Sequence, residues 1–437
     1  MASGHKVTRI GIMTGGGDCP GLNAVIRVVT KAAINELGAE VWGIEDGYLG
    51  LIRNRMRVLD WQDVSNILTA GGTILGTSNR ADPARFAVGQ DASGKPIFED
   101  VTNRVIEHIA ERALDVVVCI GGDGTMTGAA GLIKHGVRCV GVPKTIDNDL
   151  MSTDLTFGFT TAAQTATECL DRIHSTASSH HRVMLVELMG RNAGWLTLHA
   201  GLASGSDVIL IPEIPYDVDA VCEECLRRSQ LGKRFTLIAI SEGAAPKGGH
   251  QTVEKIVHDS PDPVRLGGVS TVLAAQISEK THLETRATIL GHVQRGGTPV
   301  AYDRVLATAF GYEAVRLIQK QDYRTAKGLE LLNLPFCLQG EVLDDHLLHF
   351  FMIDERPLLL IFKGGQEGER TDDLTLHRQK RGRGLLQGIQ ELPEGPAEGR
   401  RGHHHRPRDD GDRLGAAGGD RGDDRPHPVL RDGGFRA

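Results

Sequence analysis

The sequence predicts an α/β fold: two similar three-layer domains, each a mostly parallel sheet between helices, with a ligand cleft between them. Three observations carry this prediction. Strand-like apolar runs alternate with helical patterns from residue 7 to about residue 325. The most conspicuous glycine-rich loops follow those runs, where ligands of open α/β sheets sit. Only 4% of the 437 residues are aromatic, against 55 glycines, which disfavours an aromatic-rich β-sandwich.

In order, VTRIGIMT reads as a strand, GGGDCPG as a glycine loop, and NAVIRVVTKAAINEL as a helix with apolar residues at three- and four-residue steps. EVWGIE is the next strand, followed by a mixed region holding GGTILGT. TNRVIEHIAERAL is a helix, and LDVVVCI a buried strand that runs into GGDGT. MTGAAGLIKHG is helical, and RCVGVP is a strand ending at PKTIDNDL.

From about residue 160 the rhythm restarts. TAAQTATECLDRIHSTASSH, AGWLTLHAGLASG and DAVCEECLRRSQLG are helical, and RVMLVELMG, DVILIPE and RFTLIAISEG are strands. The helix VSTVLAAQISEKT and the strand ATILGHVQRGG lead the chain back toward its first half. After about residue 325 the pattern is lost. From about residue 364 Arg, Gly, Asp, His and Pro dominate, a composition that cannot bury enough apolar surface to offset chain entropy, so disorder is expected.

A net charge of −7 argues against a nucleic-acid surface. No apolar run approaches the roughly 20 residues that cross a bilayer, and MASGHKVTRI has no signal-peptide core, so no membrane partner and a cytoplasmic location are expected. Seven scattered cysteines read as reduced thiols. The Cys222–Cys225 pair is read as incidental on a helix, and His403, His404 and His405 as adventitious metal binders in the tail.

The loops suggest phosphate chemistry. Neither GGGDCPG nor GGDGT is followed by the Gly-Lys-Ser/Thr of a Walker A loop, but glycine-freed amides approach anions closely. Asp123 inside GGDGT would repel a phosphate unless a cation such as Mg²⁺ bridged them. In PKTIDNDL, Asp147 and Asp149 stand two positions apart, open to metal binding, proton transfer or a turn. Arg182, Arg191, Arg286 and Arg295 lie at or near strand ends and, with His292 and Glu242, suit a phosphorylated small substrate. Together these parts describe phosphoryl transfer to a sugar phosphate.

GGGDCPGLNAVIR, GGTILGTS, IGGDGT, PKTIDNDL, TFGFTTA, SSHHRVMLVELMGRNAG, IPE, ISEG and ETRATILGHVQRGGTPVAYDRVLA occur in this order over about residues 7 to 315. With them the chain resembles the bacterial-type 6-phosphofructokinases. The resemblance implies a phosphate-donor domain of residues 7–158 plus about 294–325, a sugar-phosphate domain of 159–293, and a divergent tail of 326–437. It implies that ATP phosphorylates the C1 hydroxyl of fructose 6-phosphate, with Asp147 as base and Thr145 and Ile146 lining the substrate. Asp123 would hold Mg²⁺, and Gly16, Gly122, Gly124 and Thr125 would contact the donor. Arg80, one residue out of register, matches an arginine that acts on the transferring phosphoryl group. Met189, Gly190, Arg191 and Glu242 would contact the sugar, and His292, Val293, Gln294 and Arg295 its 6-phosphate end. Arg182 and Arg286 resemble arginines supplied by a neighbouring subunit, which implies a homodimer or homotetramer.

Departures from the family pattern bear on donor and regulation. Lys144 is common among pyrophosphate-using relatives, whereas Gly124 is common among ATP users. An aspartate at position 124 would crowd an α-phosphate and Gly leaves room, so ATP is favoured and pyrophosphate is the alternative. Arg55, Lys233, Arg234 and Asp207 fall where effector-binding residues would, while His174 replaces an arginine, so altered regulation is expected. The tail's bias fits a shifted reading frame in a GC-rich gene; if it prevents assembly, a non-catalytic sugar-phosphate-binding subunit is the third reading.

Overall fold

In RIGIMT every residue but the first is buried, which suits a strand covered on both faces, and it forms β1 (Arg9–Thr14). In the computed structural model, which describes residues 6–150, 153–257 and 263–321 and the backbone of 352–353 and 356–357, α1 (Leu22–Ala32) follows. It ends in a π turn, Ala33–Leu37, closed by Gly38. Next come β2 (Glu40–Ile44), α2 (Tyr48–Ile52), β3 (Met56–Leu59), β4 (Phe86–Gln90), β5 (Pro96–Glu99) and α3 (Thr102–Glu111). β6 (Val116–Gly121), α4 (Asp123–Lys134), β7 (Cys139–Thr145) and β8 (Phe157–Gly158) complete the first half. The six-stranded sheet runs β3-β2-β1-β6-β7-β8, and only its edge strand β3 is antiparallel.

The second half begins with α5 (Phe159–His180) and β9 (Val183–Leu188). It continues through α6 (Trp195–Ala203), β10 (Val208–Leu210), α7 (Val218–Gln230), β11 (Thr236–Ser241), β12 (Val253–Ile256), β13 (Val264–Leu266), α8 (Val269–Thr281) and β14 (Thr285–Ile289). Its four-stranded sheet, β10-β11-β9-β14, is wholly parallel. α9 (Ala301–Lys320) then returns to pack on α1.

Period-two alternation assigns each strand's residues to opposite cores. Ile10, Ile12, Val118 and Ile120 share one core with α1 and α9, while Met13, Val117 and Cys119 face α3 and α4. In the second sheet Val183, Leu185, Ile238 and Ile240 face α7 and α8, and Met184, Val186, Leu237 and Ala239 face α5 and α6. Cys222 and Cys225 are buried on α7, and the six described cysteines are free thiols. Among the described residues no helix is long and apolar enough to cross a membrane.

Two local expectations change. ATILGHVQRGG is not one strand: β14 stops at Ile289, and Gly291–Arg295 winds into a 3₁₀ turn entered through Gly291 at φ 52°. The helix expected from Met126 starts at Asp123, inside GGDGT. The β4–β5 and β12–β13 hairpins and α9 carry no expectation at all. The expectations for the tail, including His403, His404 and His405, lie outside the described residues.

Candidate active site

Each sheet has a point where its connections diverge, and there the loops beyond adjacent strand ends part to leave a crevice. In the six-stranded sheet it lies between β1 and β6, neighbours whose chains leave in opposite directions. Residues 15–18 emerge from β1 and 121–123 from β6, joined where the Gly15 amide donates to the Ile120 carbonyl at 2.9 Å. In the four-stranded sheet it lies between β9 and β14, whose ends carry Met189–Arg191 and the 3₁₀ turn.

Glycine is required where these loops crowd. Gly16 has φ 77°, its amide donates to Ser78 O at 3.3 Å, and its carbonyl accepts from the Thr77 hydroxyl at 2.6 Å. A Cβ at Gly15 would lie 2.5 Å from Oγ1 of Thr125, and one at Gly17 would lie 2.5 Å from Nη1 of Arg295. Thr125 is buried, and its carbonyl accepts from the Tyr48 hydroxyl at 2.6 Å, which ties α4 to α2. Asp123 and Gly124 are exposed at the first turn of α4, and a Cβ at Gly124 would meet nothing within 4 Å. Arg80 is exposed just past Ser78, whose hydroxyl accepts from the Arg80 amide at 3.2 Å.

Lys144 does not project into this open space. It is 4% exposed, its ammonium donates to the Gly17 carbonyl, and burial lowers its pKa. Arg295 reaches the same loop and donates from Nη1 to the Asp18 carbonyl at 3.1 Å.

Asp147 stands at the end of β7. Its Oδ1 is buried without a hydrogen-bond partner, and burial, with the charge of Asp149 adding to it, pushes the carboxyl up to about 6 against the pull of Arg295 and Lys144. Asn148 makes the turn at φ 51° and accepts the Thr156 amide on Oδ1 at 2.9 Å, while the Thr156 hydroxyl donates to the Thr145 carbonyl at 2.8 Å. The chain therefore turns between the two aspartates, with Asp149 exposed and Asp147 half-buried.

Glu242, just past β11, is the other perturbed carboxyl. Burial pushes it up to about 7; the Gly190 amide and Arg295 oppose this, while Asp147 and Glu187 add to it. Gly190 has φ 134°, and its carbonyl accepts the Ser241 hydroxyl at 2.6 Å and the Gly243 amide at 3.1 Å. The Arg191 carbonyl accepts from the Gln251 side chain at 3.0 Å.

The structure thus gathers Gly16, Gly122, Thr125, Lys144, Asp147, Glu242 and Arg295. Ile146 is only 1% exposed and belongs to the core around β1, so, against expectation, it does not line open space. Met189 packs against the core around β1, and Gln294 is fully buried, its Nε2 donating to the Gly291 carbonyl at 3.0 Å. His292 and Val293 are exposed on the turn.

Arg182 and Arg286 lie apart from this group. Arg182 precedes β9 and Arg286 sits early in β14, so the six residues of β9 separate Arg182 from Met189 by about 23 Å. Both arginines reach Glu284 at 2.9 Å. Beside Arg182, Lys233 and Arg234 help line a cavity of about 370 Å³. The other residues expected to bind an effector are engaged. Arg55 pairs with Asp46 at 2.6 Å, Asp207 pairs with Arg228 at 2.7 Å, and His174 packs edge-on against Phe235.

Among the described residues no cluster of three metal-binding side chains exists. One exposed carboxylate, Asp123, beside open space suits Mg²⁺, which keeps most of its waters and takes further ligands from substrate phosphates.

The phosphofructokinase family model matches residues 9–318. ATP-dependent 6-phosphofructokinase 2 of Clostridium perfringens is 52% identical over 316 residues, covering 72% of this chain and 86% of its own. A pyrophosphate–fructose 6-phosphate 1-phosphotransferase of Amycolatopsis methanolica is 47% identical over 322 residues, covering 74% of this chain and 90% of its own. The solved phosphofructokinase of Saccharomyces cerevisiae matches with a TM-score of 0.59 at 33% identity, over 72% of this chain and 42% of the yeast chain, so this chain spans less than half of that protein's length. With glycine loops, paired carboxyls and arginines arranged as described, and with these matches, the chain belongs to the phosphofructokinase family.

Proposed function

We propose that the protein transfers the terminal phosphoryl group of ATP to the C1 hydroxyl of fructose 6-phosphate. The observation that carries this reading is Asp147. A half-buried carboxyl with an unpartnered oxygen and a pKa near 6 is a base poised to accept a proton near neutral pH. Asp147 takes the proton from the C1 hydroxyl. That oxygen bonds to the γ-phosphorus, the bond to the β–γ bridging oxygen breaks, and ADP leaves with the electron pair.

Arg295 binds the 6-phosphate with His292 beside it, and Gly190, Arg191 and Glu242 hold the sugar. The amides around Gly16 and Gly122–Thr125 cradle the donor, and Arg80 faces the transferring group. Mg²⁺ held by Asp123 would neutralise phosphate charge. The positions of Arg182 and Arg286, remote from Asp147, support their serving a neighbouring subunit's site in a homodimer or homotetramer. A cytoplasmic location fits the free thiols.

ATP is preferred on two observations. Gly124 leaves open space for a nucleotide, and Lys144 is engaged by the Gly17 carbonyl. Pyrophosphate is the second reading, favoured by the name of the Amycolatopsis relative. Steady-state assays with fructose 6-phosphate and Mg²⁺, run separately with ATP and with pyrophosphate, decide. Turnover with ATP is expected; turnover with pyrophosphate alone would overturn the donor assignment, and folded protein inert with both would favour a non-catalytic sugar-phosphate-binding subunit.

A further inference from the structure

A carboxylate with no part in the chemistry above fixes the chain's return from the four-stranded to the six-stranded sheet. Asp303, in the first turn of α9, has no exposed surface. Its Oδ2 accepts the Thr161 amide at 2.7 Å and the Thr161 hydroxyl, at the start of α5. The α5 N-cap is Gly158, which has no side chain to accept these amides, so Asp303 supplies the cap from 142 residues away. The Thr161 hydroxyl oxygen in turn accepts the Val300 amide at 3.1 Å. The outgoing crossover through α5 and the returning one through α9 are therefore bound to each other.

The donor loop meets them at the same place. The Cys19 thiol donates to the Phe157 carbonyl at 3.7 Å, and a Cβ on Gly158 would lie 2.8 Å from Cys19 Cβ. A Cβ on Gly21 would lie 3.5 Å from Ala307, one turn along α9 from Asp303. Gly296, Gly297, Thr298 and Pro299 are all that separate Arg295 from the Val300 anchor. Gly297 turns this short span at φ 88°, and so few residues reach at most about 18 Å. The anchor at Val300 therefore limits where the backbone of Arg295 sits, and with it the reach of its guanidinium to the Asp18 carbonyl.

We propose that Asp303 is a positioning residue: by tying the first turn of α9 to the first turn of α5, it holds Arg295 against the 16–18 loop and within reach of Asp147. This rests on the reading of Arg295 as the ligand of the sugar's phosphate. The test is a double-mutant cycle on the full chain with Asp303→Asn, Arg295→Ala and the double variant. KM for fructose 6-phosphate and for ATP is measured well below each thermal midpoint, together with calorimetric binding of fructose 6-phosphate alone.

Asp303→Asn is expected to weaken fructose 6-phosphate binding and raise its KM about tenfold, with KM for ATP changed less than about twofold. In the Arg295→Ala background the same substitution is expected to change it less than about twofold. An undiminished effect in that background, an equal rise in both KM values, or unchanged binding in folded Asp303→Asn overturns the proposal. An Arg295→Ala variant with unchanged fructose 6-phosphate affinity would instead overturn the reading of Arg295, and the positioning role with it. Should Asp303→Asn fail to fold, Thr161→Val breaks the same link more mildly. A rise of about threefold confined to KM for fructose 6-phosphate supports the proposal, and no rise or an equal rise for ATP overturns it.

Discussion

The two ends of the four-stranded sheet treat charge in opposite ways. At the carboxyl end, Glu242 and the neighbouring Asp147 are half-buried and held above the usual carboxylate range, Asp147 with an oxygen that nothing satisfies. At the amino end, Arg182 and Arg286 share the exposed Glu284, and the Arg182 bond holds that carboxyl below its usual range. The first arrangement costs stability; in the second the charges are paired, with the carboxylate facing solvent and one guanidinium nitrogen, Nε of Arg182, buried without a partner. The raised carboxyls, one from each sheet, stand where the loops of both sheets converge, and the paired charges stand at the far end of the four-stranded sheet.

The opposite shifts give opposite pH signs. A carboxyl raised in the folded state contributes stability that is present below its unfolded pKa of about 4 and lost as pH rises through its folded pKa. For Asp147 and Glu242 that window is about pH 4 to 7. For Glu284, whose pKa is lowered, the contribution is present above its unfolded pKa and lost as pH falls.

The largest effect outside the base itself is expected from Gly124→Asp, which puts a carboxylate in the open space beside Asp123. A drop in kcat/KM for ATP of about 100-fold, with KM for fructose 6-phosphate little changed, is expected in steady-state assays. Glu242→Gln comes next. It keeps the shape but removes the group raised to about 7, so KM for fructose 6-phosphate should rise about tenfold above pH 7. The gap from wild type should narrow below pH 6, where Glu242 is itself protonated. Asp147→Asn should be more stable than wild type by about 1–2 kcal/mol at pH 8 and by almost nothing at pH 4, read by urea unfolding. The smallest effect belongs to the other end. Glu284→Gln should leave the thermal midpoint within about 2 °C, and a larger loss would mean that the exposed carboxylate shared by Arg182 and Arg286 carries stability.

Most of the architecture is legible in the sequence because its signals are local. DVVVCI and FTLIAISE are continuous apolar runs, as strands covered on both faces must be, and the glycine loops follow them directly. Asp147 stands out for the same reason, since it follows such a run. Local signals leave its role open between metal binding, proton transfer and a turn, and only the family resemblance names it as base. What the sequence hides depends on partners far away in the chain. Asp303 carries no local signal, since its partner Thr161 lies 142 residues earlier. α9 itself shows little amphipathic contrast because Phe310, Ala314 and Ile318 face α1 while Tyr302, Val305 and Tyr312 are exposed on another side. The 3₁₀ turn at GHVQR looks like strand because only the φ of Gly291 ends β14. The engagement of Lys144 by Gly17 was equally invisible, with 127 residues between them.

The proposal that Asp147 is the base meets its sharpest test in a single-turnover measurement of phosphoryl transfer from ATP to fructose 6-phosphate. Wild type and Asp147→Asn would be compared at saturating concentrations, with sugar affinity measured separately by calorimetry. A rate lower by about 10²–10⁴-fold is expected in the variant, with fructose 6-phosphate affinity within about threefold of wild type. A rate within tenfold of wild type would contradict it and put the base elsewhere.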